Sequence, residues 1–188
     1  MPLYKDFDLT LASDRIRITP LLPADTKPYT RLMFGEIYDL YVAATGKTPS
    51  SGLEKEHSDE LHALRLPDDD SFIGWVTLQR DEEGRPDIGV HLVPEQQNKG
   101  LGPEAVRLFV NHLHRIYGLK TVYLRIHESN LQSQKAMGKL GVVKDGEAPD
   151  PVMTTLRIQL SDYDWKKPGL VYCYHLDLPV EILTAQKG

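Results

Sequence analysis

The sequence predicts a mixed α/β fold, in which antiparallel hairpins towards both ends of the chain flank one parallel crossover. Short runs of alternating apolar and polar residues, separated by turn residues, occur in both halves and are typical of antiparallel strands. Between them, a strand-like run at 87–93 is followed by a polar loop, a periodic helical segment and a further strand, which is the order of a crossover. The chain has 188 residues, 40% of them hydrophobic, so we expect residues 1–188 to form a single domain.

The first third of the chain predicts one strand and three short helices. The run RIRITPL, residues 15–21, alternates in polarity, which is typical of a strand with one face on the core, and the strand ends at Pro20. Residues 23–45 have apolar side chains near helical spacing and are interrupted by Gly35, so they predict two short helices. Residues 52–64, GLEKEHSDELHAL, predict a charged and mostly exposed helix.

The middle of the chain predicts a hairpin and then the helix of the crossover. The strand-like runs at 71–80 and 87–93 are separated by the turn sequence DEEGRP, so they predict an antiparallel pair. The helix after the polar loop has one apolar stripe, and Gly118 supplies the left-handed conformation that ends it. The stripe consists of Val106, Phe109, Val110, Leu113, Ile116 and Tyr117.

The last third predicts three more strands and one helix. TVYLRIH, residues 121–127, reads as a half-buried strand, and residues 130–141 as a short helix with Asn130 at its N-cap. The runs at 154–160 and 170–178 have the alternation of two further strands.

Charge and composition exclude several classes of function. A net charge of -5 argues against nucleic-acid and anionic-membrane binding, which require clustered basic residues. The single cysteine, Cys173, permits no internal disulfide and predicts a buried thiol. No run resembles a leader or a membrane span, so we expect a cytoplasmic protein. His112 and His114 lie on nearly opposite helix faces and no His or Cys set has ligand spacing, so no metal site is expected.

The polar loop before the central helix has the features of an anion-binding turn. Residues 97–102, QNKGLG, immediately precede a helix, whose N-terminus attracts negative charge. Gly100 and Gly102 let the main chain approach an anion closely, and Lys99 adds positive charge. We therefore predict that N–H groups of this loop bind a pyrophosphate.

Two other types of glycine loop compete with this interpretation. The phosphate loop of nucleotide hydrolases requires two glycines five apart, followed by Lys and Ser or Thr, which the sequence lacks. Gly100-x-Gly102-x-x-Ala105 matches the looser dinucleotide fingerprint, and Glu128 lies where an acidic partner for ribose is expected. Pro103 in the turn and too few following strands count against this match, which leaves a nucleotide-cofactor oxidoreductase as the less favoured alternative.

Gln97-x-x-Gly100-x-Gly102 resembles the Q/R-x-x-G-x-G/A acyl-CoA signature of the GNAT N-acetyltransferase superfamily. The runs SDRIRITPLLPAD, FIGWVTLQ, DIGVHLVPE and LRIHESNLQSQKAMGKLGV resemble its first strand, central hairpin and later strand and helix, so the likeness spans residues 13–142. It is nearest to the branch of ribosomal-protein N-terminal acetyltransferases. The resemblance implies a single-domain, twisted, mixed and mostly antiparallel sheet, flanked by helices and splayed at a cleft for acetyl-CoA, and a possible homodimer.

By position, the resemblance assigns residues of this chain to cofactor binding. Main-chain N–H groups of Leu92 and Val93 would donate to the thioester oxygen, as in an oxyanion hole. Asn130 would help to position the pantetheine arm, and Ser133 is a further cofactor-binding candidate. The loop residues assigned to CoA are Gln97, Asn98, Lys99, Gly100, Leu101 and Gly102.

Two residues are candidates for the general base that takes a proton from the acceptor. Asp87 matches by position a strand glutamate that some family members use, and His91 is the alternative from side-chain chemistry alone. Alternation along a strand puts both on one face, so a carboxylate and an imidazole could share the cleft. A histidine pKa of about 6.5 suits a base at neutral pH, whereas an exposed aspartate is too weak unless it is desolvated.

The family's general-acid tyrosine falls at Met137, which cannot donate a proton and whose helical stripe also predicts a core position. A CoA thiol with a pKa of about 8.5 is already a fair leaving group, and a general acid contributes roughly 10²–10⁴-fold. Water, or a tyrosine from elsewhere such as Tyr172 or Tyr174, could substitute for it.

We therefore predict an enzyme that moves an acetyl group from acetyl-CoA to a primary amine by direct attack in a ternary complex. The acceptor is a small molecule or a protein N-terminus, and Glu36, Glu54 and Glu56 could attract its positive charge. The alternative is a catalytically weakened acyl-CoA-binding or regulatory module of the same fold.

Overall fold

The computed structural model describes residues 9–35, 42, 61–149 and 169–181 of the chain. Eight strands in this part form one sheet, in the order β1-β2-β3-β4-β5-β6-β8-β7. Every neighbouring pair is antiparallel except β5 and β6, which are parallel. The strands are β1 Leu11–Ala12, β2 Arg17–Pro20, β3 Leu61–Arg65, β4 Phe72–Arg80, β5 Pro86–Leu92, β6 Thr121–His127, β7 Val143–Pro149 and β8 Leu170–Asp177.

Helices lie on both faces of the sheet. The described helices are α1 Thr26–Phe34, α2 Leu101–Tyr117 and α3 Leu131–Gly138. On one face, the ring of Tyr29 in α1 lies 6.0 Å from that of Trp75 in β4. On the other, α2 buries Phe109 and Leu113 completely in the core, because its apolar stripe faces the sheet as far as Leu113, whereas Ile116 and Tyr117 at the end of the predicted stripe are exposed. Its end at Gly118, where φ is 67°, confirms the predicted helix.

The start of α1 is held against the sheet by a buried ion pair. Arg65 of β3 donates to Asp25, and both residues are at most 5% exposed. The same Asp25 oxygen accepts from the N–H of Leu22 at 2.7 Å, and Arg65 also donates to the hydroxyl of Thr19 at 3.0 Å. The extra hydrogen bonds offset the cost of burying the two charges, and they position α1 over its face of the sheet.

The sheet opens between β5 and β6. The two strands pair only at Asp87 and Tyr123, near the beginning of β5, whereas β4 and β5 pair along their whole length. The later residues of β5 therefore have no partner strand on the β6 side. The predicted mixed sheet that splays at a cleft is confirmed.

One predicted element is wrong, and two strands were not predicted. Residues 61–64 do not end a helix, because Leu61–Arg65 is a strand between β2 and β4. Leu61 and Leu64 fit helical spacing, but every residue of this strand is buried, so alternation is absent and the pattern is ambiguous. The sequence also did not indicate β1 and β7. The predicted second helix after Gly35 and the strand at 154–160 lie outside the described residues.

In the described part of the chain, no helix is long and apolar enough to cross a membrane.

Candidate active site

A cavity of about 440 Å³ lies between the end of β5, the loop before α2 and the first turns of α3. Among the described residues that line it, none is acidic, although the chain contains 27 Asp and Glu. Two lysines of the α3 region, Lys135 and Lys139, do line it. This local excess of positive charge in an acidic protein favours an anionic ligand.

The loop presents a row of main-chain donors to this cavity. Within the described chain, the N–H groups of residues 98–102 donate no hydrogen bond to protein. Asn98 and Gly100 have φ values of 61° and 78°, the left-handed conformation found in anion-binding nests. These donors also lie at the positive end of α2, so the site combines free N–H groups with the helix dipole.

The structure gives specific contacts or orientations to three of the predicted cofactor residues, Gln97, Val93 and Leu92. The N–H of Gln97 donates to Pro94 at 3.2 Å, and its side chain donates to the carbonyl of Leu92 at 2.9 Å, so Gln97 ties the loop to β5. The N–H of Val93 donates to Ile73 of β4 at 2.9 Å and is not available to a ligand. Since successive N–H groups point to opposite sides of a strand, that of Leu92 faces the gap between β5 and β6.

Arg15, which the sequence did not single out, braces the loop from outside. Its guanidinium donates to the carbonyl of Lys99 and to Glu104 of α2, the latter at 3.1 Å. Ser13 donates to the same carboxylate at 2.7 Å. The Lys99 ammonium donates to Gln96 at 3.0 Å, and Lys99 does not line the cavity.

The start of α3 forms the opposite wall. The side chain of Asn130 accepts from the N–H of Ser133 at 3.0 Å, which confirms the predicted N-cap, and both residues line the cavity. Met137 is 4% exposed and lines this cavity and a second one, whereas Tyr172 and Tyr174 line neither. The position at which the sequence resemblance places a general acid is thus occupied by an apolar thioether that lines both cavities.

Asp87 is buried beside an arginine. It is 8% exposed, and Arg125 of β6 donates to its Oδ2 at 2.8 Å, while its Oδ1 has no hydrogen-bond partner. Burial raises the pKa of this carboxyl above its usual value, and the hydrogen bond from Arg125 partly offsets the rise.

His91 lies elsewhere on the same face. Its ring meets that of Trp75 edge-on at 5.9 Å, and it lines the 440 Å³ cavity, which Asp87 does not. His91 is exposed as a whole residue, but desolvation of its ring beside Trp75 lowers its pKa below the usual value and favours the neutral imidazole at pH 7. The two candidate bases are four positions apart along β5, which puts their Cα atoms about 13 Å from each other. They therefore cannot act as one hydrogen-bonded pair.

A second cavity of about 200 Å³ lies in the gap between β5 and β6. It shares Val90, Ser133 and Met137 with the first cavity, and Trp75 and Arg125 line it as well. It therefore joins the loop side of the sheet to the face that carries Asp87.

Some functional residues could have been found from the sequence and others could not. Lys135 and Lys139 are four apart within the predicted helix 130–141, so helical spacing already places them on one side. The contact of Arg125 with Asp87 depends on the register of β5 with β6, which alternation within either strand does not reveal. The predicted acceptor-side residues Glu36, Glu54 and Glu56 lie outside the described residues.

The nucleotide-cofactor oxidoreductase, one of the alternatives from the sequence, does not fit this arrangement. Glu128, the residue at the ribose position of a dinucleotide site, accepts from the N–H of Leu170 and ties β6 to β8. A dinucleotide fold also has a doubly wound parallel sheet, whereas this sheet is mostly antiparallel. Among the described residues, no group of three or more His, Cys, Asp or Glu side chains could hold a metal ion.

Comparison with known proteins places the chain in a family. The model of the acetyltransferase (GNAT) domain matches residues 15–143. A GNAT-family acetyltransferase from Bacillus anthracis has the same fold, with 15% identity and a TM-score of 0.67 over 90% of this chain and 98% of that chain. The ribosomal-protein-S5-alanine acetyltransferase from Vibrio fischeri has 16% identity and a TM-score of 0.61 over 93% of this chain and 100% of that chain.

A GCN5-related N-acetyltransferase from Brucella melitensis has 14% identity and a TM-score of 0.61, over 93% of this chain and 80% of that chain. No curated protein sequence matches the chain significantly. The low identities show the fold alone, but the family model matches more than half of the residues. The chain therefore belongs to the GNAT acetyltransferase family.

Proposed function

We propose that this protein transfers an acetyl group from acetyl-CoA to the primary amine of a small molecule or a protein N-terminus, by direct attack in a ternary complex. The observation that carries the proposal is the row of N–H groups at 98–102, which have no partner in the described part of the chain and lie in a loop lining a cavity whose described walls contain no acidic residue. The pyrophosphate of CoA would accept from these groups. Lys135 and Lys139 add positive charge at the same cavity.

The thioester arm would run between β5 and α3 towards the gap in the sheet. There the N–H of Leu92 faces the gap and would donate to the thioester oxygen, which gains negative charge as the amine attacks. The amine would approach from the face that carries His91 and Asp87. Its nitrogen forms the amide bond, the C–S bond breaks, and the thiolate takes up a proton.

Of the two candidate bases, His91 fits the geometry better. It lines the cavity in which the thioester would lie, and its lowered pKa leaves it neutral and able to accept a proton at pH 7. Asp87 lies further along the strand and already accepts a hydrogen bond from Arg125. We infer that Asp87 positions Arg125 at the gap.

Met137 supports a second candidate function, a protein that binds acyl-CoA but transfers it slowly or not at all. An apolar side chain at the position of the general acid leaves water to protonate the departing thiolate, which would lower the rate by roughly 10²–10⁴-fold.

Two measurements on the purified protein separate these functions. Calorimetry with CoA tests binding, and release of free thiol from acetyl-CoA tests transfer to a panel of amines, including a peptide with N-terminal alanine. Binding with thiol release supports the enzyme, and binding without release for any amine supports the second candidate. Failure to bind CoA rejects both.

The base is tested by His91→Gln and Asp87→Asn. If His91 is the base, H91Q should lower kcat about 10²-fold or more with little change in CoA affinity, and it should remove the acid limb of the pH–rate profile below pH 6.5. An equal loss of kcat and CoA affinity would indicate a structural role for His91 instead.

A further inference from the structure

The 200 Å³ cavity between β5 and β6 is built mainly from apolar side chains. Of the eleven residues that line it, all except Gly89, Arg125 and Ser133 are apolar. Its walls include core positions such as Val106 and Val122, which are at most 2% exposed. The walls are thus mainly apolar, with polar atoms from Arg125, Ser133 and the Trp75 indole, so most of the cavity surface suits an apolar group.

This cavity continues from the site proposed for the thioester. It shares Val90 and Met137 with the larger cavity, and the N–H of Leu92 faces the same gap. A thioester whose carbonyl lies at Leu92 would therefore have its acyl group directed towards the gap. The flexible thioether of Met137 can adjust at the junction, since Met has three rotatable bonds and a polarisable sulfur.

We propose that the cavity is an acyl-chain pocket, and that the preferred donors are thioesters of straight-chain acids longer than acetate. The inference rests on the proposed function and names the acyl group that the site takes. An apolar cavity of about 150 Å³ accommodates benzene, which has six carbons. A cavity of about 200 Å³ therefore has room for a hexanoyl chain.

The chemistry is the same for any chain length. The neutral amine nitrogen attacks the thioester carbonyl carbon, a C–N bond replaces the C–S bond, and the proton lost by the nitrogen ends on the CoA sulfur. The products are an amide and free CoA, so no further reactant is required. Only burial of the chain distinguishes the donors.

The test is a series of donors, namely acetyl-, butyryl-, hexanoyl- and decanoyl-CoA, with one amine. Burial of each methylene should raise kcat/KM about fourfold, equivalent to about 0.8 kcal/mol, up to hexanoyl-CoA, and decanoyl-CoA should be poorer because it exceeds the cavity. A steady decline from acetyl-CoA onwards would overturn the inference and leave the proposed function standing. Faster transfer from succinyl- than from butyryl-CoA would also overturn it, since Arg125 would then recognise a charge.

Binding in the absence of amine separates failure of the inference from failure of the proposed function. Calorimetry should give tighter binding for hexanoyl-CoA than for acetyl-CoA even if no acyl group is transferred. Equal affinities would contradict the pocket.

Two variants of the cavity wall sharpen the test. Val106→Phe should fill part of the cavity and lower the hexanoyl-to-acetyl ratio of kcat/KM at least tenfold, with folding checked by circular dichroism. If this variant does not fold, Val122→Ile makes a smaller change in the same direction, and it should lower the ratio for hexanoyl-CoA. An unchanged ratio in a folded variant would contradict the proposal.

Discussion

Replacing Gly102 by alanine should stabilise the protein and weaken CoA binding at the same time. Gly102 is the second residue of α2, and a Cβ at this position would lie 3.8 Å from both the Leu92 Cδ1 and the Met137 Cε. These are ordinary contact distances, so the side chain fits the protein without ligand. It would nevertheless occupy space between β5 and α3 that the thioester arm would cross in the proposed complex.

The two effects have different magnitudes. Alanine in place of glycine stabilises a helix by roughly 0.5–1 kcal/mol, which raises Tm by about 1–4 °C in a chain of this size. The added methyl group should displace the ligand and so remove a hydrogen bond to a charged phosphate. That loss weakens binding by about 1.5–3 kcal/mol, or roughly 10- to 150-fold in Kd. Gly102→Glu adds a negative charge at the same position and should abolish binding.

Thermal unfolding and calorimetric titration with CoA measure the two quantities separately. Gly138→Ala is the matched control, because Gly138 lies in α3, does not line the cavity and has no atom within 4 Å of a Cβ built there. G138A should bind CoA as the natural protein does. If G102A and G102E both bind CoA with unchanged affinity, the loop does not hold the cofactor and the proposed function loses its main support.

Three other substitutions test separate parts of the structure. Arg15→Gln removes the brace outside the loop and should weaken CoA binding up to about fivefold, with at most about 1 kcal/mol lost from the free energy of unfolding, because Arg15 is half exposed. A larger effect on unfolding than on calorimetric binding would contradict this role. Arg125→Gln leaves the buried Asp87 carboxylate without its ion-pair partner and raises its pKa further, so the folded protein retains its proton to a higher pH. The unfolding free energy of R125Q should therefore fall from pH 4 to pH 7 more steeply than that of the natural protein, and parallel urea-unfolding curves would refute this. Burial lowers the pKa of His62 to about 4, so the unfolded chain binds a proton below pH 6.5 that the folded protein does not. Stability should fall by about 3 kcal/mol between pH 6.5 and 4, and the His62→Leu variant should lose this dependence in urea unfolding.

The apolar patterns of the individual segments predicted most of the local structure. The hairpin of β4 and β5, the helix that ends at Gly118 and the N-cap at Asn130 follow from alternation, helical spacing and local side-chain hydrogen bonds. These depend on residues close in sequence. β3 was mistaken for a helix because burial on both faces, which removes alternation, depends on strands distant in sequence.

The features of the candidate site likewise divide into those that follow from neighbouring residues and those that depend on residues distant in sequence. The sequence of the loop alone indicates glycines that let the main chain approach an anion, the helix N-terminus and the N–H donors, since each is a property of consecutive residues. Cys173 was predicted to be buried, but it is only half-buried and lies opposite Arg125 where β6 pairs with β8. Its burial depends on more than the local sequence pattern.

The sequence by itself indicated most of the elements, the glycine loop before α2 and the two candidate bases, because periodicity and glycine placement act over a few residues. Only the tertiary structure decided which base faces the cavity, that Arg125 pairs with Asp87, and that a second cavity lies between the two strands. These features depend on the single point at which β5 and β6 pair, and that register is set by packing of the whole sheet against α2.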